Sequence, residues 1–194
     1  MNAILDHQTD MTGLAAGGFA IVAERSEHVP AREALLDRAM GEGRRRKSSE
    51  KLRRGRLPAE GLVFAALDAD GALIGTVRLW HVQAASVDAL LLGPLAVDSR
   101  VSGKGIGAAL MRHAIAEAGR LGHGAILLVG DPEYYQRFGF SDEKTGALSM
   151  PGPYEKHRFL ALELKPGHLD GATGILRASG RRTARIATTV RKIA

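Results

Sequence analysis

The chain has 194 residues, of which 45% are hydrophobic and 25% are charged, a composition typical of a globular domain. It contains no cysteine, which excludes disulfides, thiolate metal sites and a cysteine nucleophile. The formal net charge is +6, and the positive charge is concentrated in residues 44–56 and 171–194, so the rest of the chain is acidic.

The N-terminal residues 1–17 are predicted to be flexible. Residues 1–12 lack the basic flank and apolar stretch of a secretory signal, and no apolar run approaches the roughly 20 residues needed to cross a bilayer. We therefore expect a soluble cytoplasmic protein. One folded domain is predicted over residues 18–165, followed by a loose basic tail over residues 166–194.

The first half of the predicted domain alternates short apolar runs with one helical pattern. Its predicted elements are a strand at 19–23, helices at 30–40 and 50–54, and strands at 62–67, 73–82 and 89–97. The last of these strands is nearly all apolar, which predicts a central position. Gly93-Pro94 within it predicts a bulge or splay, because proline cannot donate to a ladder.

The second half contains the clearest helix, predicted at 106–121 from an apolar face at helical spacing and a closing Gly122. The remaining predicted elements are a buried strand at 125–129, a short helix at 132–138, and strands at 148–150 and 159–164. The predicted order is β-α-α-β-β-β-α-β-α-β-β.

Three alternating glycines precede the clearest helix, in the loop Ser102-Gly103-Lys104-Gly105-Ile106-Gly107. Glycine lets a backbone approach a ligand closely, and the first helical turn offers unpaired N–H groups and a positive dipole end. The loop is therefore a candidate phosphate cradle, with an unliganded strand-to-helix turn as the alternative. A dinucleotide fingerprint is disfavoured because residues 98–102 separate the strand from the glycines, and a Walker loop because no hydroxyl residue follows Lys104.

Residues 95–111 resemble the acetyl-CoA-binding motif of the GNAT acyltransferases, Gln/Arg-x-x-Gly-x-Gly/Ala. The chain has Ser102 where the family has the Gln or Arg that helps to hold the pyrophosphate, and Arg100 or Lys104 is expected to substitute. The cofactor-binding residues that the resemblance implies are Leu95, Ala96, Val97, Ser102, Gly103, Lys104, Gly105, Ile106 and Gly107.

Residues 131–140, Asp-Pro-Glu-Tyr-Tyr-Gln-Arg-Phe-Gly-Phe, are similar to the segment after the fifth strand of the same family. Their ending resembles a bacterial subgroup of predicted N-acetyltransferases. Over roughly residues 18–165, the resemblance implies a single α/β (α+β) domain of the GNAT type. Its central sheet would be mixed and mostly antiparallel, splayed at the fourth strand and flanked by about four helices.

The resemblance also implies direct transfer from acetyl-CoA, the expected co-substrate, to an amine. A backbone N–H of Leu95 or Val97 would hold the thioester carbonyl, and Tyr135 would be the catalytic acid that protonates the departing thiolate. Tyr134 is expected to be a packing residue. No metal site is expected. The general base is open, with water as one alternative and four side chains as the others: Glu24, His81, Asp88 and His157.

Two basic segments suggest acidic partners. The first borders the acceptor site in the family, and its Arg44, Arg45, Arg46, Lys47, Arg53 and Arg54 are hypothesised to favour an acidic acceptor or an acidic carrier. In the tail, Ile186, Val190 and Ile193 recur at helical spacing among basic residues, which is compatible with a membrane surface or an acyl carrier protein. Nucleic acid is not expected, because the basic runs lack interleaved aromatic residues.

Three functions are therefore compatible with the sequence. The first is an N-acetyltransferase acting on a small or protein-borne amine. The second is an acyltransferase that uses longer acyl-CoA or acyl carrier protein, as in amino-lipid synthesis. The third is a non-catalytic acyl-CoA-binding module. Homodimers are common in the family, so a homodimer is a further expectation of the resemblance.

Overall fold

Nine strands and four helices lie within residues 18–184, the part of the chain that the computed structural model describes. The strands are β1 (Phe19–Ala23), β2 (Val63–Asp68), β3 (Leu73–Ala84), β4 (Val87–Val97), β5 (Ala125–Val129), β6 (Leu148–Ser149), β7 (Phe159–Glu163), β8 (Gly174–Ile175) and β9 (Arg177–Ala178). The helices are α1 (Val29–Met40), α2 (Ser48–Arg53), α3 (Ile106–Arg120) and α4 (Pro132–Tyr135). Every element predicted from the sequence is present with similar bounds.

The main sheet has the order β1-β2-β3-β4-β5-β7, with β9 paired to β3. All neighbours are antiparallel except β4 and β5, which are parallel and are connected through α3. The predicted mixed, mostly antiparallel sheet is therefore confirmed. None of the helices in the described range is long and apolar enough to cross a membrane.

Helix α3 covers one face of the sheet with the apolar stripe that its sequence predicts, including buried Ile106, Leu110 and Ala114. It approaches closely at Gly75, where an added Cβ would lie 3.0 Å from Leu110 Cδ1. The opposite face carries α1 and α2, through contacts such as those of buried Leu52 in the cluster around Trp80. The sheet is thus buried on both faces, which explains its nearly continuous apolar strands.

Residues 166–184 do not form the loose tail that the sequence predicted. Leu169, Ala172 and Leu176 are buried in the same cluster as Trp80, and β9 adds a strand beside β3. These apolar residues are three and four residues apart, but the segment forms turns and two-residue strands and no helix, so their burial depends on the sheet that they contact. The amphipathic pattern predicted after residue 185 and the flexible segment predicted at 1–17 lie outside the described residues.

The splay predicted at Gly93-Pro94 is confirmed. Parallel pairing between β4 and β5 is limited to Leu90 with Ile126 and Leu91 with Leu127, although both strands continue further. On its other edge β4 stays paired with β3, where the register shifts opposite the Gly-Pro dipeptide. The sheet consequently opens between β4 and β5 while remaining closed between β3 and β4.

Candidate active site

The opening between β4 and β5 forms a cavity of about 100 Å³, here named the β4–β5 cleft. It is lined by Met40, Lys47, Ser49, Arg53, Leu91, Leu92, Gly93, Pro94, Leu95, Leu128, Val129 and Tyr135. Most of these side chains are apolar, and the polar groups Arg53 and Tyr135 face the same cavity. Concave apolar cavities with a few convergent polar groups are the usual form of a small-molecule site.

The free edge of β4 offers backbone N–H groups to this opening. The Asp98 amide donates to the Ile74 carbonyl of the β3 side at 2.8 Å. Because alternate amides of a strand point to the same edge, the N–H groups of Leu95 and Val97 point the other way, towards the opening. Leu95 and Val97, the predicted donors to the thioester carbonyl, therefore direct their N–H groups to the edge of β4 that is no longer paired with β5.

The glycine loop forms a second cavity, the glycine-loop pocket, of about 320 Å³. Its lining consists of Val97, Val101, Ser102, Gly103, Gly105, Ile106, Gly107, Ala108, Tyr134 and Arg137. Gly103 and Gly105 have φ of 81° and 76°, in the left-handed region that glycine tolerates best. Gly105 is the N-cap of α3, so the unpaired amides of the first helical turn border this pocket.

Tyr134 was expected to be a packing residue, but it also lines the glycine-loop pocket. A Cβ added to Gly107 would lie 2.9 Å from the Tyr134 hydroxyl oxygen, so glycine at 107 permits the approach of that hydroxyl. The Arg137 guanidinium stacks 4.7 Å from the centre of the Tyr134 ring. Arg137 was missed by the sequence analysis, although its position three residues after Tyr134 places the two side chains on one helical face.

Arg100 does not take the place of the missing Gln or Arg at position 102. Its Nη2 and Nε donate to the Asp98 carboxylate at 2.7 and 3.0 Å, and Arg38 adds a contact at 3.3 Å. The Arg100 side chain, together with the Arg100 amide, holds the pKa of Asp98 well below its usual range. Lys104 is exposed, and neither it nor Arg100 lines the glycine-loop pocket.

Tyr135 lies on the first turn after β5. Asp131 caps α4 by accepting from the Glu133 amide at 3.2 Å, and Pro132 occupies the first helical position. The Tyr135 ring passes directly over Gly130, where an added Cβ would lie 2.1 Å from Cε2. Burial raises the pKa of Tyr135 to about 12, so the hydroxyl is protonated at neutral pH.

A third cavity, the arginine pocket, has a volume of about 560 Å³ and lies between α1, α2, β3 and β4. It is lined by Glu33, Leu36, Met40, Arg44, Arg45, Glu50, Arg53, Arg54, Gly55, Arg78, Trp80 and Pro94. Met40, Arg53 and Pro94 also line the β4–β5 cleft, so the two cavities adjoin. The basic segment found in the sequence therefore contributes a pocket wall next to the opening in the sheet.

Two of the pocket's ionic groups are fixed by ion pairs. Burial tends to raise the pKa of Glu33, but hydrogen bonds from Arg44 and Arg32 outweigh it and lower the pKa to about 2. Arg78 donates at 2.6 Å to Glu24, a buried carboxylate that is also paired with Arg32. These groups form the structural walls of the pocket.

The four side chains named as candidate bases lie elsewhere: Glu24, His81, Asp88 and His157. Glu24 is enclosed by Arg32 and Arg78, and the His81 ring is tilted against that of His123, with the ring centres 5.5 Å apart. His157 is exposed beside Glu155. None of these four side chains contributes to the β4–β5 cleft or to the arginine pocket. The acidic residues that line the arginine pocket are Glu33 and Glu50.

Comparison with known proteins gives consistent results. A family model described as an acetyltransferase (GNAT) domain matches residues 59–142. The uncharacterized N-acetyltransferase YhbS of Escherichia coli K12 is 31% identical over 149 residues, which span 76% of this chain and 88% of that protein. The crystal structure of E. coli YhbS in complex with CoA has a TM-score of 0.72 at 28% identity, over 86% of this chain and 92% of that one. A GNAT family acetyltransferase from Brucella melitensis, in complex with acetyl-CoA, has a TM-score of 0.57 at 25% identity, over 82% and 94% of the two chains.

Proposed function

Because the chain belongs to the GNAT family of N-acetyltransferases, with acetyl-CoA as co-substrate, we propose that it transfers the acetyl group directly to an acceptor amine in the arginine pocket. The observation that carries this proposal is the continuity of the three cavities along β4. Val97 lines the glycine-loop pocket, Leu95 lines the β4–β5 cleft, and Pro94 lines both the cleft and the arginine pocket.

The residues of the glycine-loop pocket fit a pyrophosphate. An anion there would meet the helix N-terminus after Gly105, the Tyr134 hydroxyl and the Arg137 guanidinium. We assign to Arg137 the pyrophosphate contact that the Gln or Arg of the motif makes at position 102. The thioester end would then extend along the free edge of β4, where the N–H groups of Leu95 and Val97 are directed.

The reaction that this arrangement supports is an acyl transfer in one active site. The acceptor nitrogen attacks the thioester carbonyl carbon, the C–N bond forms and the C–S bond breaks. A β4 amide stabilises the negative charge that develops on the carbonyl oxygen. Tyr135 gives its proton to the departing thiolate and recovers one from water. Glu50 lines the arginine pocket and, unlike Glu33, is not hydrogen-bonded to two arginines, so we assign it the proton lost by the amine, directly or through water.

The size of the β4–β5 cleft favours acetyl over longer acyl groups. A volume of about 100 Å³ suits a two-carbon group beside the reacting sulfur and leaves little space for a long chain. We therefore expect acetyl-CoA to be used in preference to octanoyl-CoA. No observation favours a carrier-protein donor or a non-catalytic binding module, and the position of Tyr135 in the lining of the β4–β5 cleft favours catalysis.

The basic segment is predicted to favour an acidic acceptor or an acidic carrier. The location of its arginines supports an acceptor bound in a pocket more than a carrier bound on an outer face. Arg44 and Arg53 have side chains only 13% and 11% exposed, and both line the arginine pocket. Arg46 is exposed and remains available to an acidic carrier or a membrane surface, whereas Lys47 is exposed and also lines the β4–β5 cleft. A homodimer remains an expectation of the family resemblance.

Calorimetric titration of acetyl-CoA tests the cofactor assignment. Gly105→Glu puts a carboxylate into the glycine-loop pocket and should abolish binding. Gly71→Glu is the matched control, because Gly71 has nearly the same φ, 78° against 76°, and equally open surroundings, but lies in the β2–β3 turn. Arg137→Ala should weaken binding about fivefold, as expected for one exposed charge-assisted contact, whereas Arg100→Ala should not. Equal affinity of Gly105→Glu and Gly71→Glu for acetyl-CoA would refute the assignment.

A further inference from the structure

We propose that the acceptor is a small amine that carries an anionic oxygen group, and that Arg53 binds this group where the arginine pocket meets the β4–β5 cleft. The inference rests on the proposed acetyl transfer and specifies the substrate class. It distinguishes Arg53 from the other arginines of the pocket, which are hydrogen-bonded to carboxylates or extend into solvent.

Arg53 is buried with an unused donor. Its side chain is 11% exposed, and its Nε is one of two buried side-chain polar atoms without a hydrogen-bond partner among residues 18–184, the other being Thr76 Oγ1. Nη2 donates to Ser49 Oγ at 3.1 Å, and Glu50 Oε2 forms an ion pair with Nε at 3.4 Å, a separation longer than a good hydrogen bond. A buried guanidinium that lacks a hydrogen-bonded anion is unfavourable, so an incoming anion would be bound strongly.

The charges around Arg53 reinforce this conclusion. Burial lowers the pKa of Arg53, and the neighbouring Arg44 and Arg78 lower it further, against the opposing effect of Glu50. Across the whole pocket, five arginines face two glutamates. The excess positive charge inside a concave site attracts anions, because low-dielectric walls focus the field.

The other four arginines of the pocket are less suited to bind the ligand. Arg44 is held by Glu33 and Asp37 at 2.6 and 2.7 Å, and Arg78 is held by Glu24. Arg45 has a side chain 67% exposed, and Arg54 is also exposed and donates to the Arg45 carbonyl. Arg53 alone among the five arginines lines both cavities.

The position of Arg53 sets the distance between anion and amine. Its Nη1 lies against the free part of β4, since a Cβ added to Gly93 would be 3.6 Å away. An anion on Arg53 is therefore close to the strand that holds the thioester, which suits an acceptor whose amine and anion are separated by a few bonds. A volume of about 560 Å³ is within the usual range for small-molecule sites.

Matched amine pairs test the proposal. The probes are alanine with alaninamide, β-alanine with its amide, and phosphoethanolamine with ethanolamine, so that carboxylate and phosphate are examined separately. Release of CoA thiol can be followed continuously with a thiol-reactive dye, because the protein has no cysteine. For at least one pair, we expect kcat/KM of the anionic member to exceed that of the neutral member by about 30-fold or more.

Three variants identify the residue responsible. Arg53→Met should remove the preference by lowering kcat/KM for the anionic member only, and Arg53→Lys should restore part of it. Lys51→Met removes one positive charge from the same helix at an exposed position and should keep the preference. Equal use of both members of every pair, or an equal loss for both in Arg53→Met, would overturn the proposal.

A binding measurement keeps this test separate from the test of acetyl transfer. The same probes are titrated into the protein saturated with CoA, where no turnover is needed. Anionic probes that neither bind this complex nor are acetylated would overturn the anion inference while acetyl-CoA binding stands. Failure of the wild-type protein to bind acetyl-CoA would instead overturn the proposed function, and the inference with it.

Discussion

The contact between Gly130 and Tyr135 allows the position of the tyrosine to be tested without removing its hydroxyl. In Gly130→Ala the new Cβ would lie 2.1 Å from Tyr135 Cε2 and 2.7 Å from Cδ2. Carbon atoms in contact are about 3.5–4.0 Å apart, so the ring must move by more than about 1 Å. The ring belongs to the packed core and has an edge contact with Phe140, so its movement displaces the hydroxyl and strains the packing.

The expected result is a loss of rate larger than the loss of stability. A misplacement of about 1 Å in a catalytic group can lower the rate about 100-fold, so kcat of Gly130→Ala should fall by about that factor. Overpacking should lower the free energy of unfolding by about 1–3 kcal/mol, which a folded protein tolerates.

The assay is CoA thiol release with any of the matched amines that is acetylated, together with urea denaturation. Gly146→Ala is the control, because no atom lies within 4 Å of a Cβ added there. Tyr135→Phe gives the reference rate for a correctly placed ring without a hydroxyl. A folded Gly130→Ala protein with wild-type kcat would refute the role of Tyr135 geometry in the reaction.

Three other predictions concern protonation, stability and the acceptor side. Because the pKa of Tyr135 is about 12, its proton is retained up to high pH, and loss of kcat from its ionisation should begin only above about pH 10. A fall of kcat that begins below about pH 10 in the wild-type protein and is absent in Tyr135→Phe would contradict this. The pKa of Glu33 is about 2, below its usual 4.5, so its carboxylate stabilises the fold above pH 4.5 and this contribution is lost as the pH falls through 2. After solvent screening, Glu33→Gln should lower the free energy of unfolding by about 1 kcal/mol at pH 7 and by less at pH 3, measured by urea denaturation. Gly180→Val would bring a Cβ to 3.2 Å from the Leu57 carbonyl oxygen and would disturb the loop that follows α2. Because the start of this loop lines the arginine pocket, the substitution should raise KM for the acceptor without changing the calorimetric affinity for acetyl-CoA.

The order of elements in the fold could be predicted because local signals mark it. Proline and glycine bound most of the helices, and largely apolar stretches mark the strands β1, β2, β3, β4, β5 and β7 of the main sheet, which have five to twelve residues. The splay was also predictable, because Gly93-Pro94 interrupts a strand that otherwise has no polar residue after Asp88. These features depend on neighbouring residues in the chain, so they need no knowledge of tertiary contacts.

The C-terminal strands were not predictable for the opposite reason. Strands β8 and β9 have two residues each, and their sequence lacks any periodic pattern. Their pairing depends on distant partners, since β8 pairs with β6 and β9 pairs with β3. The residues that follow β9 also bond to a distant loop: the Leu57 amide donates to the Arg181 carbonyl at 2.8 Å, and Arg56 donates to the Gly180 carbonyl at 2.7 Å. The segment that was predicted to be a loose basic tail therefore holds the loop that follows α2 by hydrogen bonds.

The same limit applies to the charged residues of the proposed site. A run of arginines in the sequence identifies a positive region, but it does not say which side chain is buried. Helix α2 buries Leu52 on one side, and this orientation directs the adjacent Arg53 towards the opening beside Gly93, while Lys51 remains exposed. Arg137 likewise acquires its proposed role only because α4 packs Tyr134 against Gly107. Specificity for the acceptor, and compensation for Ser102, thus depend on helix rotation relative to the sheet, which is a property of the packed fold.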